Sequence, residues 1–177
     1  MKQDNRNVVD RYKGKSTDAI KADLDTRRIS LEIAIENLER DFNMGTIVRT
    51  ANAFNVAKVH IIGRRQWNKR GAMMTDKYMN IEYHQSPGDF IRAMRKSGKS
   101  VIAIDIVDGA RGISEAELPE RSVLVYGSES DGLSNELLND ADQVLCIEQS
   151  GSTRSINVGV AAGITMYMWL LQHQLNR

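Results

Sequence analysis

An α/β domain built on a mostly parallel sheet flanked by helices is the fold class the sequence predicts, and three observations carry it. First, Leu31–Ile35, Met44–Phe54 and Val56–Ile62 read as strand, helix and strand. Ile47, Val48, Ala51 and Phe54 fall on one side of the middle segment at spacings of three and four, and such a unit implies parallel pairing with a right-handed crossover. Second, apolar, β-branched runs recur at Val101–Ile104, Ser122–Tyr126 and Gln143–Ile147 without alternation, the pattern of strands covered on both faces. Third, 177 residues, 41% of them hydrophobic, suffice for one sizeable core but not for two independent domains.

The remaining elements follow in chain order. Residues 1–28 are set apart as a basic N-terminal extension: the opening stretch through Ser16 is polar and reads as a poorly anchored lead-in. Ser16 or Thr17 then caps a short helix to about Arg28. The domain proper spans 29–177. Residues 64–80 show neither helical nor strand period and read as a long basic loop, a length more often functional than idle. Ile81–Tyr83 forms a short strand, and Pro87 opens a helix that turns Phe90, Ile91 and Met94 inward and ends near Ser97-Gly98. A short helix follows Ser134, and the last helix runs from about Ser155 to His173. That helix is apolar on nearly every side. Ile156, Val160, Ile164, Tyr167 and Leu171 make one stripe while Val158, Ala161, Ala162, Met166, Trp169 and Leu170 fill others, so cover by a second copy of the chain is expected, burying Tyr167, Trp169 or Leu170.

Composition excludes several classes. The apolar stretch Ile156–Leu171 is broken by glycines and alanines, and no charged leader runs into an apolar segment, so neither membrane span nor secretory signal is expected; the cytoplasm is. The lone Cys146 rules out an internal disulfide. With only His60, His84 and His173 it leaves no zinc-type spacing, and no metal is expected. The net charge of +1 conceals an asymmetry: residues 1–100 carry 20 Lys/Arg against 12 Asp/Glu, and residues 101–177 carry 4 against 11. The first part is therefore the side suited to a polyanion. Arg64, Arg65, Lys69, Arg70 and Lys77 oppose only Asp76, and Arg92, Arg95, Lys96 and Lys99 lie together with no acid.

Three polar clusters sit at strand–helix junctions, where open parallel sheets bind ligands. The first runs from Asn37 to Arg49; Asn43 is a candidate helix cap, and the Arg49 guanidinium, placed among Ile47, Val48 and Ala51, needs several acceptors such as a phosphate or carboxylate provides. The second is Gly127–Ser134, where Gly127 allows close approach of a ligand to the backbone and Gly132 allows a turn of positive φ. The third is Glu148–Asn157, with Ser155 or Asn157 as candidate caps. Neither a dinucleotide nor a phosphate-loop glycine pattern is present, and no histidine lies at any junction to make a Ser-His-Asp triad.

The blocks Asn43–Phe54, Val125–Ser134 and Ser155–Gly163, in this order, resemble the three motifs of the SpoU (TrmH) family of RNA ribose 2′-O-methyltransferases in the SPOUT superfamily, over roughly residues 30–173. The resemblance implies a parallel α/β methyltransferase domain over 29–177 whose C-terminal segment forms a deep trefoil knot, and a homodimer that binds S-adenosyl-L-methionine. It implies catalytic roles for Asn43, Arg49, Glu129, Ser155 and Asn157, and cofactor contacts at Gly127, Ile147 and Ile156 made largely through the backbone. Without a separate RNA-binding domain, the basic segment with Arg64, Arg65, Lys69 and Arg70, together with Arg154, is assigned to the RNA, which in this family is transfer or ribosomal. The chain departs from the pattern at Gly159, where serine is common, at Ile156 for leucine, at Glu148, where proline is usual, and at Asn55 for glycine. The Glu148 change predicts a less rigid third loop.

The implied reaction transfers a sulfonium methyl to a ribose 2′-hydroxyl. Since arginine side chains, with a pKa above about 12, are poor bases, Arg49 is read as binding the adjoining phosphate and stabilising developing alkoxide charge. Asn43 orients Arg49 or the ribose, Glu129 holds Arg49 or Asn157, and Ser155 positions the third loop. The alternatives are a catalytically idle knotted RNA-binding module and an RNA base methyltransferase.

Overall fold

The computed structural model describes residues 4–37, 43–128 and 131–175. Seven strands form one sheet: β1 (Ile29–Asn37), β2 (Val56–Gly63), β3 (Ile81–His84), β4 (Ser100–Ile104), β5 (Arg111–Gly112), β6 (Ser122–Tyr126) and β7 (Gln143–Cys146). Their spatial order is β3-β2-β1-β6-β4-β7-β5, and every pairing is parallel. The predicted parallel sheet is thus present. β5 is an addition that no pattern in its two residues announced.

Among the described residues five α-helices accompany the sheet: α1 (Thr17–Asp25), α2 (Met44–Ala53), α3 (Pro87–Ser97), α4 (Asn135–Asp140) and α5 (Val158–Leu170). The strand period of two divides the core. Leu31, Ile33 and Ile35 of β1 and Leu124 and Tyr126 of β6 turn to one face and pack with Ile47, Val48 and Ala51 of α2 and Met166 and Trp169 of α5. Ala34, Val123 and Val125 turn to the other, against Phe90, Ile91 and Met94 of α3 and Leu137 of α4. Pro87 stands in the first turn of α3, as the sequence predicts, and Ser86 caps the helix, its hydroxyl accepting from the Asp89 amide at 3.2 Å.

Two expectations are corrected. The lead-in, described from residue 4 to Ser16, is not loose: Tyr12 buries with Ile20 and Leu24 of α1 and with Tyr78, and beyond α1 the Arg28 guanidinium donates to the carbonyls of Tyr78 (2.7 Å) and Val56 (3.1 Å). A basic residue spent on two main-chain carbonyls anchors the extension to the start of β2. The segment after β2 is also more ordered than its sequence suggests, containing 3₁₀ turns at Arg70–Ala72 and Thr75–Tyr78. Asn55, where glycine is common, takes φ 55°, and its side-chain Nδ2 donates to the carbonyls of Arg27 (2.9 Å) and Leu24 (3.3 Å). Asparagine tolerates the left-handed region, so the substitution is accommodated.

The last helix is shorter than the apolar run, and a π-helical turn, Leu171–Leu175, follows it. Trp169 and Leu170 lie in this chain's own core, Trp169 fully buried with its indole N–H donating to the Pro119 carbonyl at 3.2 Å. Neither can serve a subunit interface; Val160, Ile164 and Tyr167 form the exposed face instead. No helix among the described residues is long and apolar enough to cross a membrane. Trp169→Ala removes the largest buried side chain on the α2/α5 face and should cost about 3–5 kcal/mol, read as a fall in the urea midpoint at unchanged slope.

Candidate active site

The carboxyl ends of β4, β6 and β7 and the amino end of α5 enclose a cavity of about 770 Å³. It lies at the end of the sheet where parallel strands present their loops. Gly127, Ile147 and Ile156, the three expected cofactor contacts, all line it, as do Arg154, Ser155 and Asn157. Asn43, Arg49 and the basic cluster Arg64, Arg65, Lys69 and Arg70 do not. Glu129 lies outside the described residues.

The second loop leaves β6 at Gly127, where a Cβ would run into the backbone of Gly132 and Leu133. On the Cβ side, the close approach that glycine permits here is made by the chain itself. Ser128 and Gly132 exchange main-chain hydrogen bonds of 3.1 Å, and Gly132 has the expected positive φ, 68°. Two carboxylates pin this loop from below. Asp105, just past β4, accepts from the Leu133 amide at 2.7 Å, and the buried Glu36, near the end of β1, accepts from the Ser134 amide at 2.8 Å.

The third loop is fastened to the first by one side chain. Asn157 caps α5, its Oδ1 accepting from the amides of Gly159 (2.9 Å) and Val160 (3.2 Å), while its Nδ2 donates to Oδ1 of Asn43 at 3.0 Å. Of the two candidate caps it is Asn157, not Ser155, that acts. The Asn43 side chain does not cap α2 but accepts from Asn157. α2 and α5 meet close by, where a Cβ at Gly159 would stand 3.1 Å from Cγ2 of Thr46; on another side of α2 a Cβ at Gly45 would stand 2.6 Å from the Ala72 amide nitrogen of the Arg70–Ala72 turn. Glycine at 159 thus lets α5 start against α2. Glu148, where proline was expected, accepts from the backbone and hydroxyl of Ser114, contacts that hold its carboxyl below the usual range. Those bonds tie the root of the third loop to the segment after β5, contrary to the expected loss of rigidity.

Arg49 projects from α2 into solvent and makes no hydrogen bond or ion pair within the described residues. Its guanidinium bears no burial cost, so the desolvation argument for a ligand does not apply. What remains is an exposed cation on α2, the helix whose amino-end residue Asn43 meets Asn157. The basic cluster is divided: Lys69 pairs with Asp76 at 3.0 Å, the Arg65 guanidinium stacks on Tyr83 at 4.8 Å, and Arg64 and Arg70 are exposed. Asn37 braces this segment by donating to the carbonyls of Arg64 (2.5 Å) and Gln66 (3.2 Å). The second basic run is largely neutralised, with Arg92 on Asp89, Arg95 on Asp140 and Lys99 on Glu32.

Sequence reasoning missed a fourth wall, Asp105, Ile106 and Val107 after β4, and the part played by Glu36. The exposure of Ile106 (48%) and Val107 (37%) belongs to the structure, and the apolar run before them does not announce it.

The model of the SpoU rRNA Methylase family matches residues 30–167, and the chain belongs to that family. The tRNA (guanosine(18)-2′-O)-methyltransferase of Escherichia coli K12 is 27% identical over 151 residues, 84% of this chain and 66% of that protein, so the match spans just under two thirds of the relative. The crystal structure of the A. aeolicus TrmH/SpoU tRNA modifying enzyme superposes with a TM-score of 0.78 at 25% identity, covering 90% of this chain and 83% of that one. The AdoMet-bound rRNA methyltransferase of Sinorhizobium meliloti gives 0.73 at 25% identity, covering 85% and 60%. The architecture is therefore that of the SPOUT fold, and the C-terminal segment forms its knot.

Two variants separate the functions of Asn157. Asn157→Ala should cost about 1 kcal/mol through the lost cap. Asn157→Asp keeps the acceptor and should retain that stability while losing the donor to Asn43; urea unfolding and amide exchange at Gly159 and Val160 measure both.

Proposed function

We propose that the chain transfers the methyl group of S-adenosyl-L-methionine to a ribose 2′-hydroxyl of structured RNA, transfer or ribosomal, and does so as a homodimer. The observation that carries this reading is the Asn43–Asn157 hydrogen bond, which sets the helix bearing the solvent-facing Arg49 against the mouth of the β4/β6/β7 cavity.

The cavity suits the cofactor by its own chemistry. Its walls mix aliphatic side chains with polar loop groups, and its size lies in the range of small-molecule sites. Oε1 of Gln149 is buried there without a hydrogen-bond partner, an acceptor ready for an amino group. Gly127, Ile147 and Ile156 would hold the cofactor, with Ile106 and Val107 closing the side that sequence reasoning left open. When bound, S-adenosyl-L-methionine supplies an electrophilic methyl on a sulfonium whose departure needs no protein acid.

What the protein must supply is alignment of the hydroxyl oxygen and relief of the charge that grows on it. Arg49 serves both ends: its fork of donors takes a phosphate bidentately, and its charge stabilises an alkoxide. Asn157 fixes Asn43, and Asn43 directs the ribose beside Arg49. Ser155 and Glu129 complete the set as the resemblance assigns them. Arg64, Arg65 and Arg70, with Lys69 and Arg154, guide the RNA backbone toward the mouth.

Dimerisation fits the exposed stripe Val160, Ile164 and Tyr167 on α5, with Phe54 of α2 beside Tyr167 at a centroid distance of 6.3 Å. Sedimentation equilibrium at micromolar protein should return twice the chain mass of 19.9 kDa, and Ile164→Asp should return a monomer. A monomeric parent chain would refute the dimer.

For the chemistry, Arg49→Ala should lower single-turnover methylation by about 10²-fold or more at saturating RNA with cofactor affinity intact. The double variant Arg64→Ala/Arg65→Ala should instead weaken RNA binding and flatten its salt dependence by somewhat less than about one unit per lost phosphate contact, with the rate restored at high RNA. Recovery of Arg49→Ala at high RNA would reduce that residue to a binding role.

A further inference from the structure

On the α3 face of the sheet, far along the strand order from the cavity, β1, β2 and β3 bring two histidines and two glutamates together. His60 is fully buried and His84 nearly so, and His60 Nδ1 faces His84 Nε2 at 2.9 Å. Oε1 of Glu82 is 3.8 Å from the same His84 nitrogen. One ligand atom from each of His60, Glu82 and His84 lies within 4.8 Å of the other two. The residues come from different strands: His60 pairs with Glu82 across the β2–β3 ladder, and His84 is two residues further on the same face. No sequence spacing could display them as a set.

The surroundings are those of a metal site. Metal-binding histidines commonly donate their second ring nitrogen to a carboxylate that fixes the tautomer. His60 Nε2 lies 2.8 Å from Oε2 of Glu32, which makes it the donor and leaves the Nδ1 lone pair turned toward His84 and Glu82. Each carboxylate is in turn held by a lysine through its other oxygen, Glu32 by Lys99 at 3.1 Å and Glu82 by Lys58 at 2.6 Å. Phe90 meets both imidazoles edge-on, at centroid distances of 5.5 Å and 5.3 Å, and restrains the rings. The 2.9 Å nitrogen separation is a few tenths of an ångström below the roughly 3.3 Å that tetrahedral zinc with bonds of about 2.0–2.1 Å requires, so a small opening of the pair admits the ion.

We infer that His60 Nδ1, His84 Nε2 and Glu82 Oε1 bind one divalent ion of zinc type per chain, with Glu32 as the outer partner of His60. Two imidazoles and a carboxylate form a donor set suited to zinc and cobalt rather than to magnesium or calcium. On binding, the His84 proton leaves Nε2 and Nδ1 takes one up, so the ring stays neutral. Solvent supplies the fourth ligand, since Glu82 stands at the partly exposed rim. The ion would cross-link β2 to β3 at the edge of the sheet, a role separate from the proposed methyl transfer.

The test uses the full, tag-free chain, treated with chelator and titrated with Zn²⁺ by calorimetry and with Co²⁺ by visible absorption. The expected result is one ion per chain, the d–d bands of a four-coordinate cobalt site, and a raised melting temperature with Zn²⁺. His84→Ala and Glu82→Gln should each weaken binding at least about 10-fold, and Glu32→Gln about 10–100-fold at unchanged stoichiometry. His173→Ala should change nothing. Glu82→Gln, at the rim, decides the matter if His84→Ala does not fold. Absence of saturable uptake, or uptake equal in the parent, His84→Ala and Glu82→Gln, would overturn the site.

Discussion

A single amide side chain holds two distant parts of the chain in register. Asn157 closes the amino end of α5 through Oδ1 and reaches the first residue of the Asn43–Phe54 block through Nδ2, joining positions 114 residues apart in sequence. Asparagine does both because it carries acceptor and donor on one planar group; aspartate keeps only the first and serine cannot span the two. The glycines at 45 and 159 are the steric counterpart, since each lies where a Cβ would press on the neighbouring element. At Gly159 the neighbour is Thr46 of α2, and at Gly45 it is the Arg70–Ala72 turn, so α2 is closely received by both.

The order of the strands sets the rest. β6 is inserted between β1 and β4, and β7 lies beyond β4, so the loops after β4, β6 and β7 converge on one cavity while the basic segment leaves at the other side, after β2. On the proposed function, binding of a small molecule and of a polyanion would occupy different parts of the sheet's edge, and the charge asymmetry between the two parts of the sequence would match that division. The structure also shows that a run of bases is not a free basic surface: Arg92, Arg95 and Lys99 are answered by acids, two of them from elsewhere in the chain, whereas Arg64 and Arg70 remain exposed.

Much of this was legible in the residues. Ser122–Tyr126 is the observed strand to the residue, and the βαβ unit, α3 and the short helix after Ser134 all appear within a residue or two of their expected bounds. Local period and capping chemistry determine such elements. What local pattern cannot express is which side of an all-apolar helix meets the core, and Trp169, expected at an interface, proved to be its largest buried side chain. Arg49 erred in the opposite direction: its apolar neighbours point inward precisely because it does not, so they said nothing of its own burial. The pairing of residues 157 and 43, the anchoring of Arg28 on Tyr78 and the wall formed by Asp105–Val107 depend on topology alone.

The central claim is that the site acts on ribose rather than on a base, and the nature of the methylated product tests it most directly. Unmodified cellular RNA, incubated with the protein and isotopically labelled S-adenosyl-L-methionine, would be digested to nucleosides and resolved by mass spectrometry. The account predicts label confined to a nucleoside whose fragmentation places the methyl group on the sugar, and its disappearance with Arg49→Ala. Label on the base fragment, or RNA bound tightly with no label transferred, would contradict it.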